Sequence, residues 1–222
     1  MPPRNLLVAI ALCALATLAH PFASIRRFVG PRHSFARSKL DTGRWTPELL
    51  KRLEWRRFEE LCAAYFEALG FRADLAGADG GAVINLYEEG SASTAILVRC
   101  SPWNPYRVGI KPVRGLHGAM SSGNVGEGVL VTSGKFTREA RDFADQQRIS
   151  LIDGDELLAK ITALLPGKAL ALLKLATQGD FRTPTCPSCV IKMIPRRSTA
   201  HGRTYWGCRN YPGCKHTFYE PS

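Results

Sequence analysis

Residues 45–99 read WTPELLKRLEWRRFEELCAAYFEALGFRADLAGADGGAVINLYEEGSASTAILVR, and this stretch decides the fold. It opens as a helical region from Trp45 to Leu69. Thr46-Pro47-Glu48 is a helix start: a hydroxyl cap, a proline at the first helical position and an acid behind it. Trp55, Phe58, Leu61, Cys62, Tyr65, Phe66 and Leu69 then recur at helical spacing, and Gly70 ends the helix. Three strand-like runs follow, Arg72 to Leu75, Ala82 to Tyr87 and Ala95 to Arg99, separated by Gly77-Ala78-Asp79-Gly80-Gly81 and by residues 88–93.

Outward from there, the spacing predicts a helix over 108–120, a strand over 128–132, a helix over 137–148, a strand over 149–152 and a helix over 154–165. The order α-β-β-β-α-β-α-β-α predicts an α/β domain with a mixed central sheet flanked by helices. Pro166-Gly167 breaks the chain before an Ala/Leu-rich helix over 168–177, and residues 178–184 read as a short linker.

The residues of this domain resemble the Mrr-type restriction endonuclease domain, a member of the PD-(D/E)XK nuclease fold. The likeness rests on Trp55, Phe58-Glu59, Gly70-Phe71, the Gly-rich turn, Cys100 to Trp103, Val131-Thr132-Ser133-Gly134, Phe136-Thr137, Ala140, Ala144 and Leu151-Ile152-Asp153-Gly154, and covers roughly residues 55–161. It implies DNA as partner, no small-molecule substrate, and Mg²⁺-dependent phosphodiester hydrolysis. An Asp after the Gly-rich turn and a strand acid or Gln would hold Mg²⁺. A Lys two residues beyond the Gln would stabilise the developing charge.

The chain departs from that pattern at all three positions. Val83 stands at the Asp, Arg99 at the Gln and Ser101 at the Lys. A valine holds no cation, and an arginine puts a positive charge where the cation belongs. The sequence therefore predicts a nuclease fold with no catalytic residues, in which Arg99, Arg107, Lys111 and Arg114 form a positive surface that binds phosphate without cutting. Ordinary solvated basics are the competing reading of these four. If the site has instead been rearranged, its residues would be Glu59, Asp79, Glu88 and Lys111, with Asn85 nearby; Asp79 also reads simply as part of an Asp-Gly turn. His33 and His117 lack partners at a recognisable spacing.

At the C-terminus Cys186, Cys189, Cys208 and Cys214 follow the pattern Cys-x2-Cys-x18-Cys-x5-Cys. Paired thiolates on two tight turns make a closed tetrahedral site that suits structural Zn²⁺, which would supply most of the folding energy of so short a segment. Two disulfides are the alternative. Cys-Pro-x-Cys with Gly-Cys-x-Asn-Tyr-Pro-x-Cys-Lys also resembles the four-cysteine zinc finger at the C-terminus of bacterial type I topoisomerases, over residues 185–218. That resemblance implies DNA binding, mostly single-stranded. Lys192, Arg196, Arg197, Arg203, Arg209 and Lys215 are the candidate phosphate contacts. Tyr205, Trp206, Tyr211 and Phe218 are the candidate stacking residues, with packing around the metal as the competing role, favoured for Tyr211.

The 222 residues carry a formal net charge of +11, which suits nucleic acid or anionic lipid. Seven cysteines leave Cys13, Cys62 and Cys100 outside the four-cysteine set, an odd number that argues against a secreted disulfide framework. Leu6 to Ala19 is an apolar run, extendable to Ile25, followed by Arg26, Arg27, Arg32, Arg37 and Lys39. This predicts a membrane anchor or a signal segment over 1–25. The anchor reading is an inner-membrane single pass with the C-terminal domains in the cytoplasm. A basic linker over 26–44, the nuclease-like domain over 45–165, a helix and linker over 166–184 and the ribbon over 185–222 complete the expected organisation. The expected function is a membrane-tethered, cleavage-deficient DNA-binding protein. The alternatives are an active type IV-like restriction endonuclease and a protein-interaction module at the membrane.

Overall fold

The computed structural model describes residues 40–76, 83–101, 107–198 and 202–219. All of these after Leu40 belong to one unit, Asp41–Pro221. Thr46 caps α1 (Pro47–Arg52), accepting from the Leu49 N–H at 3.1 Å. The expected single helical region is in fact two, because the chain breaks at Leu53–Glu54 before α2 (Trp55–Ala68). Glu54 has an extended backbone and its carboxylate accepts from the Arg56 N–H at 3.2 Å, so it caps a new helix instead of continuing the old one. Gly70, at φ +99°, reverses the chain into the sheet.

The sheet has five strands: β1 (Arg72–Ala76), β2 (Val83–Tyr87), β3 (Ile96–Ser101), β5 (Glu127–Thr132) and β7 (Ile149–Ile152). They lie in the order β1-β2-β3-β5-β7. The first two pairings are antiparallel and the last two parallel, so the sheet is mixed as the element order predicts. The parallel pairs are joined through α3 (Ile110–Ser122) and α4 (Arg138–Gln146). Two short strands not visible in the sequence, β4 (Arg107–Val108) and β6 (Lys135–Phe136), pair in parallel beside them.

One face of the sheet is covered by α3 and α4. Leu97 and Leu130 meet Val113, Leu116, Met120, Ala140 and Ala144 there. The other face carries α2, with α1, α5 (Gly154–Thr162) and α6 (Pro166–Thr177) around it. Phe58, Leu61, Cys62 and Phe66 of α2 are buried, as the helical spacing predicts. Side chains alternate along β3. Leu97, Arg99 and Ser101 share the α3 side. Ile96, Val98 and Cys100 share the α2 side, where Cys62 hydrogen-bonds Cys100.

The motifs Val131-Thr132-Ser133-Gly134 and Leu151-Ile152-Asp153-Gly154 lock the ends of β5 and β7. Thr132 Oγ1 donates to the Ser101 carbonyl at 2.9 Å and accepts from the Gly134 N–H at 3.1 Å. Gly154 lies so close that a Cβ there would stand 2.3 Å from the Ser133 carbonyl oxygen.

The expectation of a membrane-spanning protein is corrected: among the described residues no helix is long and apolar enough to cross a membrane. The longest, α2, has 14 residues, about 21 Å of rise against a hydrocarbon core of about 30 Å. The N-terminal apolar run, on which the anchor and signal readings fell, lies outside the described residues, as do His33 and the basic stretch up to Lys39.

Candidate nucleic-acid interface and four-cysteine site

Two arrangements carry the chemistry. The first lies at the carboxyl ends of the parallel strands, where ligands of open α/β sheets bind. Val83 at the start of β2 stands directly opposite Arg99 of β3. The three departures therefore share one place, since Ser101 follows Arg99 on the same face. Arg99 is half-buried, and its guanidinium lies across α3: a Cβ at Gly115 would stand 3.0 Å from Nη1. Lys111 is exposed one helical turn before Gly115, and Arg114 sits over the Phe143 ring at 5.6 Å.

The carboxylates offered for a rearranged metal site do not gather here. Glu59 is 2% exposed and faces Cys100 from the α2 side, across the sheet from Arg99. Glu88 is exposed beyond the far end of β2. Asp79 lies outside the described residues. The described strand-end residues thus do not fit Mg²⁺: Val83 is apolar and Arg99 is itself a cation, so neither offers it a ligand. His117 packs edge-on against Phe143, ring centroids 6.0 Å apart, which accounts for it structurally.

The second arrangement is the four-cysteine group. Cys186 and Cys189 sit on one tight turn, closed by the Val190 N–H to the Cys186 carbonyl at 2.8 Å. Cys208 and Cys214 sit on another, closed by the Cys214 N–H to the Asn210 carbonyl at 3.0 Å. The four sulfurs lie within 4.8 Å of one another, and Cys186 and Cys214 Sγ are 3.6 Å apart. A tetrahedral Zn²⁺ with ~2.3 Å bonds needs sulfurs about 3.8 Å apart, so the group is able to hold such an ion. All four are free thiols in this structure. Burial pushes Cys208 up to about 12, while the His216 N–H and ring hold Cys214 down at about 6. A shared cation lowers every such thiol. Among the described residues this is the one group of three or more such ligands close enough to share an ion.

Around the sulfurs, β8 (Ile194–Arg197), β9 (Thr204–Gly207) and β10 (Thr217–Tyr219) form an antiparallel sheet in the order β10-β9-β8. Trp206 and Phe218 are cross-strand partners and pack onto the cysteines, so they support the site from inside. Tyr205, one residue away, faces the other side between Arg196 and Tyr219. The Tyr205 and Tyr219 rings are 5.7 Å apart, and Tyr219 is 63% exposed. Arg196 lies across Gly207, where a Cβ would stand 2.5 Å from its Cδ, and its guanidinium is 5.2 Å from the Tyr211 ring. Tyr211 is 59% exposed, against the packing role expected for it. This face is therefore one arginine among three tyrosines. Tyr219 escaped the sequence reading, although the alternation along Thr217-Phe218-Tyr219 carries the signal.

The remaining basic candidates divide. Arg197, Arg203, Arg209 and Lys215 are exposed. Lys192 is taken: its ammonium donates to Glu54 Oε1 at 3.1 Å and to the Thr183 carbonyl at 2.9 Å.

The family model described as "Restriction endonuclease" (Mrr_cat) matches residues 50–161, about half of the chain. No curated protein matches. Among solved structures, the DNA modification-dependent restriction endonuclease AspBHI is similar at 22% identity and TM-score 0.42, over 68% of this chain and 45% of its own. The MspJI restriction endonuclease, in complex with a 27-mer oligonucleotide, is similar at 22% identity and TM-score 0.39, over 60% and 35%. AF1548, a protein of unknown function, is similar at 19% identity and TM-score 0.39, over 50% and 68%. The chain thus spans less than half the length of AspBHI or MspJI. On the match over residues 50–161, this chain belongs to the restriction endonuclease family.

Proposed function

We propose that this chain binds DNA through its restriction-endonuclease-like domain without cleaving it, and that its C-terminal segment is a zinc ribbon that holds a single strand. The observation that carries the reading is the pairing of Val83 with Arg99, the guanidinium resting on α3 at Gly115, one turn after the exposed Lys111. Phosphate is drawn to such a place by charge alone, and no described carboxylate there would position a metal and its attacking water.

On the ribbon, four thiolates suit Zn²⁺ in a closed structural site, and the ion supplies folding energy there. Tyr205, Tyr211 and Tyr219 offer faces for base stacking, a sequence-tolerant mode of holding a strand. Arg196, Arg203, Arg209 and Lys215 supply the phosphate attraction, and Trp206 holds the sheet that presents them.

The test uses the full chain loaded with zinc. Methylated and unmethylated plasmid and single-stranded DNA are incubated with it in Mg²⁺ or Mn²⁺, beside an EDTA control. Retarded but intact DNA is expected, with affinity falling linearly on a log–log salt plot. Charge reversal at Arg99 and Lys111 should weaken it. Metal-dependent cuts would overturn the reading in favour of an active endonuclease, and the absence of both cutting and retardation would overturn DNA binding itself.

A further inference from the structure

Glu54 sits in the break between α1 and α2 and is only 3% exposed. A carboxylate so deeply placed needs partners, and its own helix gives it one, the Arg56 N–H. The others come from far along the chain. The Thr185 N–H donates at 3.2 Å, Thr185 Oγ1 at 3.1 Å and Lys192 Nζ at 3.1 Å. The backbone adds two more ties: the Glu54 N–H donates to the Phe181 carbonyl at 2.9 Å, and Trp55 Nε1 donates to the Thr185 carbonyl at 2.7 Å. Thr185 is itself buried, and the next residue is the first metal-ligand candidate, Cys186.

A ribbon swinging on a flexible linker has no use for this arrangement. A buried ion pair is also a poor way to gain stability compared with apolar packing. What it does is fix a direction: the carboxylate accepts only from donors at set angles, and those donors belong to the first cysteine turn.

The direction it fixes is informative. Gly70 turns α2 back into β1, so α2 runs against β1 and also against β3, which is parallel to β1. The start of α2 therefore overhangs the carboxyl end of β3. Contacts mark the path, with Cys62 and Glu59 of α2 both acting on Cys100 near that end. Glu54 lies five residues earlier, about 7.5 Å further along the helix axis. The ribbon is thus held at the same end of the sheet as Val83, Arg99 and Ser101.

We propose that Glu54 is a positioning residue, a latch that sets the ribbon beside the strand-end site so that one DNA strand contacts both surfaces as a single footprint. This rests on the DNA-binding reading above. Without the carboxylate's three bonds the ribbon keeps the linker and the Phe181 and Trp55 ties, its direction is less tightly set, and the second contact loses effective concentration.

The experiment measures affinity of the zinc-loaded full chain for two oligothymidylates, one of about 6 nucleotides that fits a single small domain and one of about 30 that spans both surfaces. The wild type is compared with Glu54→Gln and with Thr185→Val, which keeps the charge pair and guards against loss of folding, checked by a circular-dichroism melt. Equal binding of the short strand by all three, with about tenfold weaker binding of the long strand by the variants, is expected. Loss of short-strand binding in step with long would be a merely structural effect and would overturn the latch. So would variants that keep the full long-strand affinity; in both cases DNA binding by the wild type stands. If the wild type binds neither strand, the DNA-binding reading fails and takes this proposal with it.

Discussion

Asp153 offers a prediction whose size and sign both follow from geometry. It ends β7 and caps α5, Oδ1 accepting from the N–H of Asp155 at 3.1 Å and of Glu156 at 3.0 Å. Its Oδ2 takes Lys135 Nζ at 3.0 Å and Arg141 Nη2 at 3.4 Å. Burial alone would push the carboxyl up, but the Glu156 N–H, Lys135 and Arg141 outweigh it and hold the group below its ordinary value. Asp153→Asn keeps an oxygen for the cap and deletes the charge. Asn caps as well as Asp, so the cost is that of two half-exposed pairs, about 1 kcal/mol in all. Asp153→Ala also removes the cap, raising the cost to about 2–3 kcal/mol.

The sign follows from linkage. The folded-state pKa is depressed, so the stabilisation is present above the unfolded value of about 3.9 and lost as pH falls through the folded one. Lys135 behaves oppositely. Asp155, against the pull of its partial burial and with the help of Asp153, holds it above its ordinary value. Its share is therefore complete at neutral pH and lost only as pH rises through that raised value. Urea unfolding of wild type, Asn and Ala forms from acid to neutral pH checks this. The gap between wild type and Asn should be widest near neutrality and close in acid. Parallel acid titration of the two would refute the ion-pair argument, and equal stability of Asn and Ala would refute the cap.

Other expectations follow from packing. On the zinc-loaded chain a strong chelator, or the substitution Cys208→Ser, should unfold the C-terminal segment while leaving the sheet domain's helical signal, read by near- and far-ultraviolet circular dichroism. Trp206→Ala should do the same, whereas Tyr219→Ala should leave the ribbon folded and weaken single-strand binding by about 1–3 kcal/mol in a titration. Gly154→Ala should destabilise by about 1–3 kcal/mol in urea, because the clash is with the Ser133 backbone, which cannot rotate away. Val190 has φ +56°, a left-handed backbone that a β-branched residue adopts at a cost. Val190→Gly should therefore raise the ribbon's melting temperature, a gain of about 1 kcal/mol.

Much of the fold was written in local pattern. The strand over 149–152 appears with the expected bounds, and the helix ends at Gly70 and Thr137 follow from backbone chemistry that neighbours dictate. The five-stranded mixed sheet follows because its element order permits few alternatives. The strand-end site was legible as three departures from a pattern, and the register makes two of them face each other. What stayed hidden depends on long-range partners. Nothing local marks Glu54 as buried, since its partners lie 131 and 138 residues away. Lys192 reads as one more surface cation until Glu54 is seen beside it. Trp206, left open between stacking and packing, turns inward, and Tyr219, given no role, turns outward, because a one-residue step in a strand changes the face.

On the proposed reading, strand ends that carry Val83 and Arg99 in place of acids would change more than cleavage. A metal-dependent nuclease site is built from carboxylates that repel phosphate until the cation arrives, so its affinity for DNA depends on the ion it is waiting for. With a valine facing an arginine, the proposed attraction for phosphate would be present at all times and would need no cation to complete it. Added Mg²⁺ then acts on the complex only as a competing counterion, and should weaken binding as a divalent salt does. Glu59, a buried carboxylate of α2 near that end, does not alter this, because it stands on the far face against Cys100. The sign of the Mg²⁺ effect on affinity, measured at constant ionic strength, therefore separates the two kinds of site independently of any cutting assay. Tighter binding on adding Mg²⁺ would mean that a cation is being held at the strand ends and that the arginine does not replace it.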